Sequence, residues 1–184
     1  MLAIRLFFVA CLLLIGSRAT ASDLPPASEL ARHGLHMAWW GRAAIDLGRE
    51  KVDFVTNDEE MVFIRSNTGI ITAFDAETGR KMWSTLVGRP DQQCFAPVSN
   101  ANQLLVAVGL HLIAVNKKNG DVIWELRLQR HPSASPAVDE DQVYLGMVDG
   151  SVFAYDLKVV QKLHEQRMLP AFSHIAEMWR YQTP

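Results

Sequence analysis

Six histidines, two cysteines and five tryptophans are the side chains of this 184-residue chain with the most chemical scope. A structural metal site needs about four His, Cys, Asp or Glu ligands, usually in close sequence pairs. His33 and His36 could share one helix face, but two ligands leave a site incomplete. His111, His131, His164 and His174 are scattered and read as turn or surface residues, so no metal ligands are assigned. Cys11 lies in an apolar N-terminal run, which leaves Cys94 as the one thiol beyond it. A lone thiol forms no internal disulfide, so Cys94 reads as a small core residue of a strand, with a partner outside this chain as the alternative. Trp39, Trp40, Trp83, Trp124 and Trp179 could stack on a planar cofactor or a sugar.

The spacing of the tryptophans argues for packing. Ala73, Asp75, Gly79 and Trp83 recur 41 residues later as Ala114, Asn116, Gly120 and Trp124. A third copy opens with Ala154 and Asp156. Self-similarity at this period is the mark of a repeat architecture. Within a unit, Val62, Ile64, Ile71 and Ala73 alternate with more polar neighbours, the pattern of strands with an inner and an outer face. Asn67-Thr68-Gly69 and Asp149-Gly150 read as hairpin turns, because Asn and Gly tolerate the positive φ of tight turns. Asp75 to Gly79 and Asn116 to Gly120 make the next, longer turn, and the tryptophan follows on the outermost strand. A unit therefore holds four strands. One such sheet cannot cover its own faces, so the units must stack around an axis as an all-β propeller.

Blades are expected at about residues 52–90, 92–131 and 134–184. Residues 22–34 read as a polar leader or short helix, and 35–184 as the propeller segment. Residues 35–45 read as a lone outer strand, with Trp40 in the repeat position 43 residues before Trp83 and Trp39 as the odd one out. In the third unit the tryptophan is delayed to Trp179, which marks an insertion at about 157–176. Helix formers fill 157–169, Asp156 is a natural N-cap and Pro170 a stop. This insert is expected to project from the blade, with Leu163, His164, Arg167 and Met168 as candidate partner-binding residues.

The Ala-x-Asp/Asn-x-x-x-Gly-x-x-x-Trp core of residues 73–83 and 114–124 resembles the PQQ-like, or quinoprotein-type, propeller repeat. The resemblance covers about residues 36–184. It implies that Trp40, Trp83, Trp124 and Trp179 dock between blades against turn glycines such as Gly79 and Gly120. Enzymes of that family hold pyrroloquinoline quinone and calcium on the axis, beside a vicinal disulfide and a stacking tryptophan. This chain has no Cys-Cys pair, no haem-attachment motif and no residues that match the calcium ligands. PQQ and calcium would need a site supplied by further blades. The expectation is instead a non-catalytic interaction scaffold, similar to the BamB-like propellers of outer-membrane assembly. The alternatives are an N-terminal piece of a quinoprotein dehydrogenase and a sensor or structural ectodomain.

Arg5, the apolar residues 6–16 and the small residues 19–21 together read as a secretory signal, with the mature chain starting near Ser22. The apolar run continues past Cys11, which disfavours a lipid anchor there. An apolar run of that length falls short of the ~20 residues that span a bilayer, and no later segment is long enough either. Losing residues 1–21 takes the net charge from −2 to −4, which argues against a nucleic-acid partner. The expected location is the periplasm or an equivalent envelope compartment, with protein partners. Closed rings use roughly 4–8 blades. Three blades and one strand are therefore expected to be a fragment of a longer propeller, or to close a ring with other chains.

Overall fold

The computed structural model describes residues 25–46 and 48–183. The signal expected at residues 1–21, with Cys11, lies outside them. The chain divides into two units, residues 1–37 and 38–184. The first contains a short helix, α1 (Ala27–Arg32), with Glu29 in its first turn and Arg32 in its last, charges that suit the helix dipole.

The second unit holds three four-stranded antiparallel sheets, each a simple meander. Blade one is β1 (Val52–Asn57), β2 (Met61–Ser66), β3 (Ile70–Asp75) and β4 (Lys81–Leu86). Blade two is β5 (Val98–Ser99), β6 (Gln103–Val108), β7 (His111–Asn116) and β8 (Val122–Arg127). Blade three is β9 (Ala137–Val138), β10 (Gln142–Gly146), β11 (Ser151–Asp156) and β12 (Glu177–Gln182). Between β11 and β12 the chain forms helix α2 (Leu157–Glu165) and a 3-10 turn (Ser173–Ala176).

The repeat is a repeat of register. Ala73 pairs with Trp83, Ala114 with Trp124 and Ala154 with Trp179, and each ladder is interrupted one residue beyond its alanine. A small residue opposite each tryptophan leaves room for the ring to lie across the sheet. Blade two is the buried middle. Leu105, Ala107, Leu112 and Ala114 face the core shared with blade three, while Leu104, Val106, Val108, Ile113 and Val115 face the core shared with blade one. This two-sided burial explains why β6 is an almost unbroken apolar run instead of an alternating one.

The turn between the first and second strands of each blade also repeats. Asp58 Oδ1 accepts the N–H groups of Glu60 and Met61, Asn100 Oδ1 those of Asn102 and Gln103, and Asp139 Oδ1 those of Asp141 and Gln142. Side-chain oxygens of this kind substitute for ladder acceptors where the chain reverses.

One expected element differs. Residues 35–46 form no strand. A strand needs a hydrogen-bonded neighbour, and among the described residues none pairs with this segment.

Candidate functional site

The joints between blades concentrate the polar contacts of the repeat. At the joint of blades one and two, the Trp83 indole N–H donates to the Lys117 carbonyl at 2.8 Å. The ring lies over Gly120, where an added Cβ would sit 2.7 Å from ring carbons, and Gly120 holds φ +81°. Both facts demand glycine there. The Thr85 hydroxyl donates to the Gly120 carbonyl at 2.7 Å, and Phe63 packs on Trp83 with ring centres 6.0 Å apart.

The same turn carries a buried cation. Lys117 Nζ lies 2.8 Å from Asp58 Oδ2 and 3.0 Å from Glu60 Oε2, and the Ser99 hydroxyl donates to Asp58 at 2.6 Å. Burial opposes ionisation of Asp58, but the hydrogen bonds from Lys117, Ser99 and two backbone N–H groups outweigh it and hold the carboxyl below its ordinary range. For Lys117 burial likewise opposes the charge, and the bonds to Asp58 and Glu60 win and raise its pKa. A raised lysine contributes stability fully below its unfolded value of about 10.4 and loses it as pH rises through the folded value. The lowered Asp58 contributes above about pH 3.9 and loses its part as pH falls through the folded value. Urea melts of the wild type and Lys117→Met should therefore differ most between about pH 5 and 9, with the difference starting to shrink above about pH 10.4 and vanishing only past the raised Lys117 value. A constant difference through pH 11 would remove the ion pair from the account.

A second joint of this design is made by Trp39, not Trp40. The Trp39 N–H donates to the Ala76 carbonyl at 2.8 Å, its ring lies 2.5 Å from where a Gly79 Cβ would be, and it stacks on Phe74 at 6.2 Å. Trp40 is 68% exposed. The expected docking role of Trp40 is thus corrected to its neighbour. Arg42 stands two residues after Trp40 and is exposed with it.

The third joint departs from the pattern. Trp124 is 1% exposed, yet its indole N–H finds no acceptor among the described residues. In place of the docking turn, Asp156 caps α2, accepting the N–H groups of Lys158 and Val159 at 2.8 and 3.0 Å. Val160, fully buried, stands four residues after Asp156, where Gly79 and Gly120 follow Asp75 and Asn116. Leu157, Val160, Leu163 and Ala176 join Trp124, Leu126 and Leu128 in one core, with Met168 and Leu169 packed at its edge. The insert is therefore part of the blade joint and does not project. Leu163 faces the core and Met168 is half-buried, which removes Leu163 from the partner-binding set; His164 and Arg167 are exposed.

Trp179 sits in the tryptophan register of blade three but is 44% exposed, touching Tyr144 at 6.1 Å. Cys94 is half-buried, with its thiol 3.4 Å from the Phe95 carbonyl. Burial pushes the thiol up to about 11. Because the thiolate is the reacting form, alkylation at pH 8 should run about 100-fold slower in the folded chain than in urea. Equal rates would place Cys94 at the surface.

A 510 Å³ groove is lined by Glu59, Glu60, Asp75 and Glu77, yet among the described residues no three His, Cys, Asp or Glu side chains converge on a metal position. Trp83 and Trp124 are enclosed in blade joints and offer no open face to a planar ring. Among the described residues the side chains offer no converging carboxylates and no vicinal disulfide, and so do not fit a calcium-bound quinone.

The family model described as the outer membrane protein assembly factor BamB matches residues 38–158. The chain belongs to that family. BamB from Moraxella catarrhalis superposes with a TM-score of 0.52 at 20% identity, over 70% of this chain and 35% of that one. The computationally designed Ika4 protein gives 0.50 at 16% identity, over 66% of this chain and 72% of its own. The chain spans about a third of the Moraxella protein's length. At these identities the likeness concerns the blade architecture. A comparison with curated protein sequences gives no match.

The repeat unit is legible in the sequence from its Ala, Asp/Asn, Gly and Trp positions and the alternating apolar residues around them. What sequence reasoning missed was the Asx turn at Asp58, Asn100 and Asp139, whose signal is an Asp or Asn three residues before the second strand's first residue. It also missed the Lys117 ion pair, because nothing in the sequence ties Lys117 to Asp58.

Proposed function

We propose that the chain is a non-catalytic envelope propeller that serves as a protein-interaction scaffold in outer-membrane protein assembly. The observation that carries this reading is the BamB family match over residues 38–158. The chemistry agrees with it, since the distinctive polar groups of the repeat hold the scaffold together: Trp83 on Lys117 and Lys117 on Asp58 join blades one and two, and Trp39 on Ala76 fixes the preceding segment to blade one. No described helix is long and apolar enough to cross a membrane. Export by the segment at residues 1–21 and residence in the periplasm belong to the same proposal. The exposed His164 and Arg167 are its partner-facing part of the insert, on an element whose other side is fixed in the core.

A photo-crosslinking amino acid at position 164 or 167, in cells that export the chain, tests the reading. It expects a defined adduct with a subunit of the outer-membrane assembly machinery, absent when the crosslinker is placed at the buried position 160. Saturable binding of pyrroloquinoline quinone, with calcium-dependent dehydrogenase turnover by the purified chain, would replace the scaffold by an enzyme.

A further inference from the structure

We propose that the cleft between blade two and the insert binds a small, uncharged ligand that carries a carbonyl oxygen on an apolar body, with the Tyr155 hydroxyl as its hydrogen-bond donor. The inference goes beyond the scaffold reading and does not depend on it.

The cleft holds 470 Å³, within the range of roughly 300–1,000 Å³ for small-molecule sites. Leu110 and Leu128 of blade two face Pro170 and Ala171 of the insert across it, and Tyr155 of β11 completes the lining. All of its lining residues fall between positions 110 and 174, at the joint of blades two and three.

Tyr155 carries a group that the packing does not require. It stands directly before Asp156, as Phe74 stands before Asp75 and Val115 before Asn116, and all three side chains are buried. The other two are pure hydrocarbon. Tyr155 is 1% exposed and shares a core with Leu126 and Leu128, yet its hydroxyl has no hydrogen-bond partner among the described residues. Buried hydroxyls left in that state are costly and uncommon in native proteins. Burial, and after it the negative charge of Glu177, raise the pKa of this phenol, so it stays protonated and can donate.

The polar groups around it are already engaged. The Ser173 hydroxyl donates to the Pro170 carbonyl at 2.7 Å and accepts the Arg127 backbone N–H at 3.2 Å. Gln129 Nε2 donates to Glu177 Oε2 at 2.9 Å. These bonds fix the walls and leave the Tyr155 hydroxyl as the buried donor. Charge then selects the ligand. Arg127 brings its backbone to the wall, but it alternates with Leu126 and Leu128, which face the core, so its side chain leaves from the opposite face of the strand. Glu177 is the charge that Tyr155 feels. A carboxylate beside Tyr155 would meet that negative charge, whereas a neutral carbonyl oxygen accepts from the phenol without the repulsion.

Benzamide, benzoate and benzene, titrated separately into the ¹⁵N-labelled chain, test the assignment. Benzamide should shift the amide signals of Leu110, Leu128 and Ala171 saturably and bind more tightly than either of the others. Tyr155→Phe keeps the ring and removes the hydroxyl, so it should weaken benzamide about tenfold, the loss of one hydrogen bond, and leave benzene unchanged. The same variant should unfold in urea at or above the wild-type midpoint, because the hydroxyl it removes makes no bond to the rest of the chain. Ala171→Phe, at an exposed position of the wall, fills the cleft and should abolish benzamide binding with the blades intact; it is the second variant should Tyr155→Phe fail to fold. No saturable shift at the cleft, benzoate binding tighter than benzamide, or equal benzamide affinity with and without the hydroxyl would overturn the proposal. So would a lowered urea midpoint for Tyr155→Phe, the sign of a hydroxyl held by an internal water only.

Discussion

Trp83→Ala is expected to cost about 3–5 kcal/mol, the range for truncating a buried tryptophan, through lost burial and the cavity left behind. The upper part of the range is appropriate here. The substitution also strips the donor from the Lys117 carbonyl and removes the ring that fills the space above Gly120. Urea unfolding should show a much lower midpoint with an unchanged slope. The control is Trp40→Ala, which removes the same side chain from an exposed site and should stay within about 0.5 kcal/mol of the parent. Equal losses from both variants would mean that the joint is not where the stability resides.

Val160→Asp is expected to be the more damaging of the two insert substitutions, with a loss on the order of 4 kcal/mol or more. Val160 is fully buried in the core that α2 shares with Trp124 and Leu126. A carboxylate there has no basic partner, and it sits where the other blades place a glycine. His164→Asp, on the exposed side of the same helix, is the comparison and should be nearly neutral. The pair separates an insert that completes the joint from one that merely decorates it. If both variants melt like the parent, α2 is an appendage after all, and residues 158–172 could be deleted without harm to the blades.

The architecture was legible because its spacing is set by geometry. A turn glycine with positive φ and no Cβ, a small residue opposite the ring and an indole donor recur together, since each is needed for the ring to seat. Their 41-residue period survives in sequence while most other positions drift. The choice between Trp39 and Trp40 was harder, because connectors of different length between an outer strand and the next blade blur the count. Exposure settles it: Trp39 is half-buried, whereas Trp40, Gly41 and Arg42 are exposed. The charge on Arg42 was the readable sign. The insert was likewise half legible. Its helix and its Asp156 cap follow from local rules, and the stripe Leu157, Val160, Leu163 at helical spacing marks a buried face. What it buries against is a tertiary fact, fixed by the missing turn of blade three. Lys117 lay beyond reach for the same reason, since its partners are 57 and 59 residues away in the neighbouring blade.

The account rests on tryptophans seated between blades, and the exchange of their indole protons measures that seating directly. In ¹⁵N-resolved spectra of the chain, the indole N–H groups of Trp39 and Trp83 should exchange slowly with deuterated solvent, held by the Ala76 and Lys117 carbonyls. Those of Trp40 and Trp179, both exposed, should be lost first. Substituting each tryptophan in turn assigns the signals. Slow exchange at Trp39 and Trp83 with fast exchange at Trp40 and Trp179 is the predicted result; a protected Trp40 beside a freely exchanging Trp39, or rapid loss at Trp83, would contradict it.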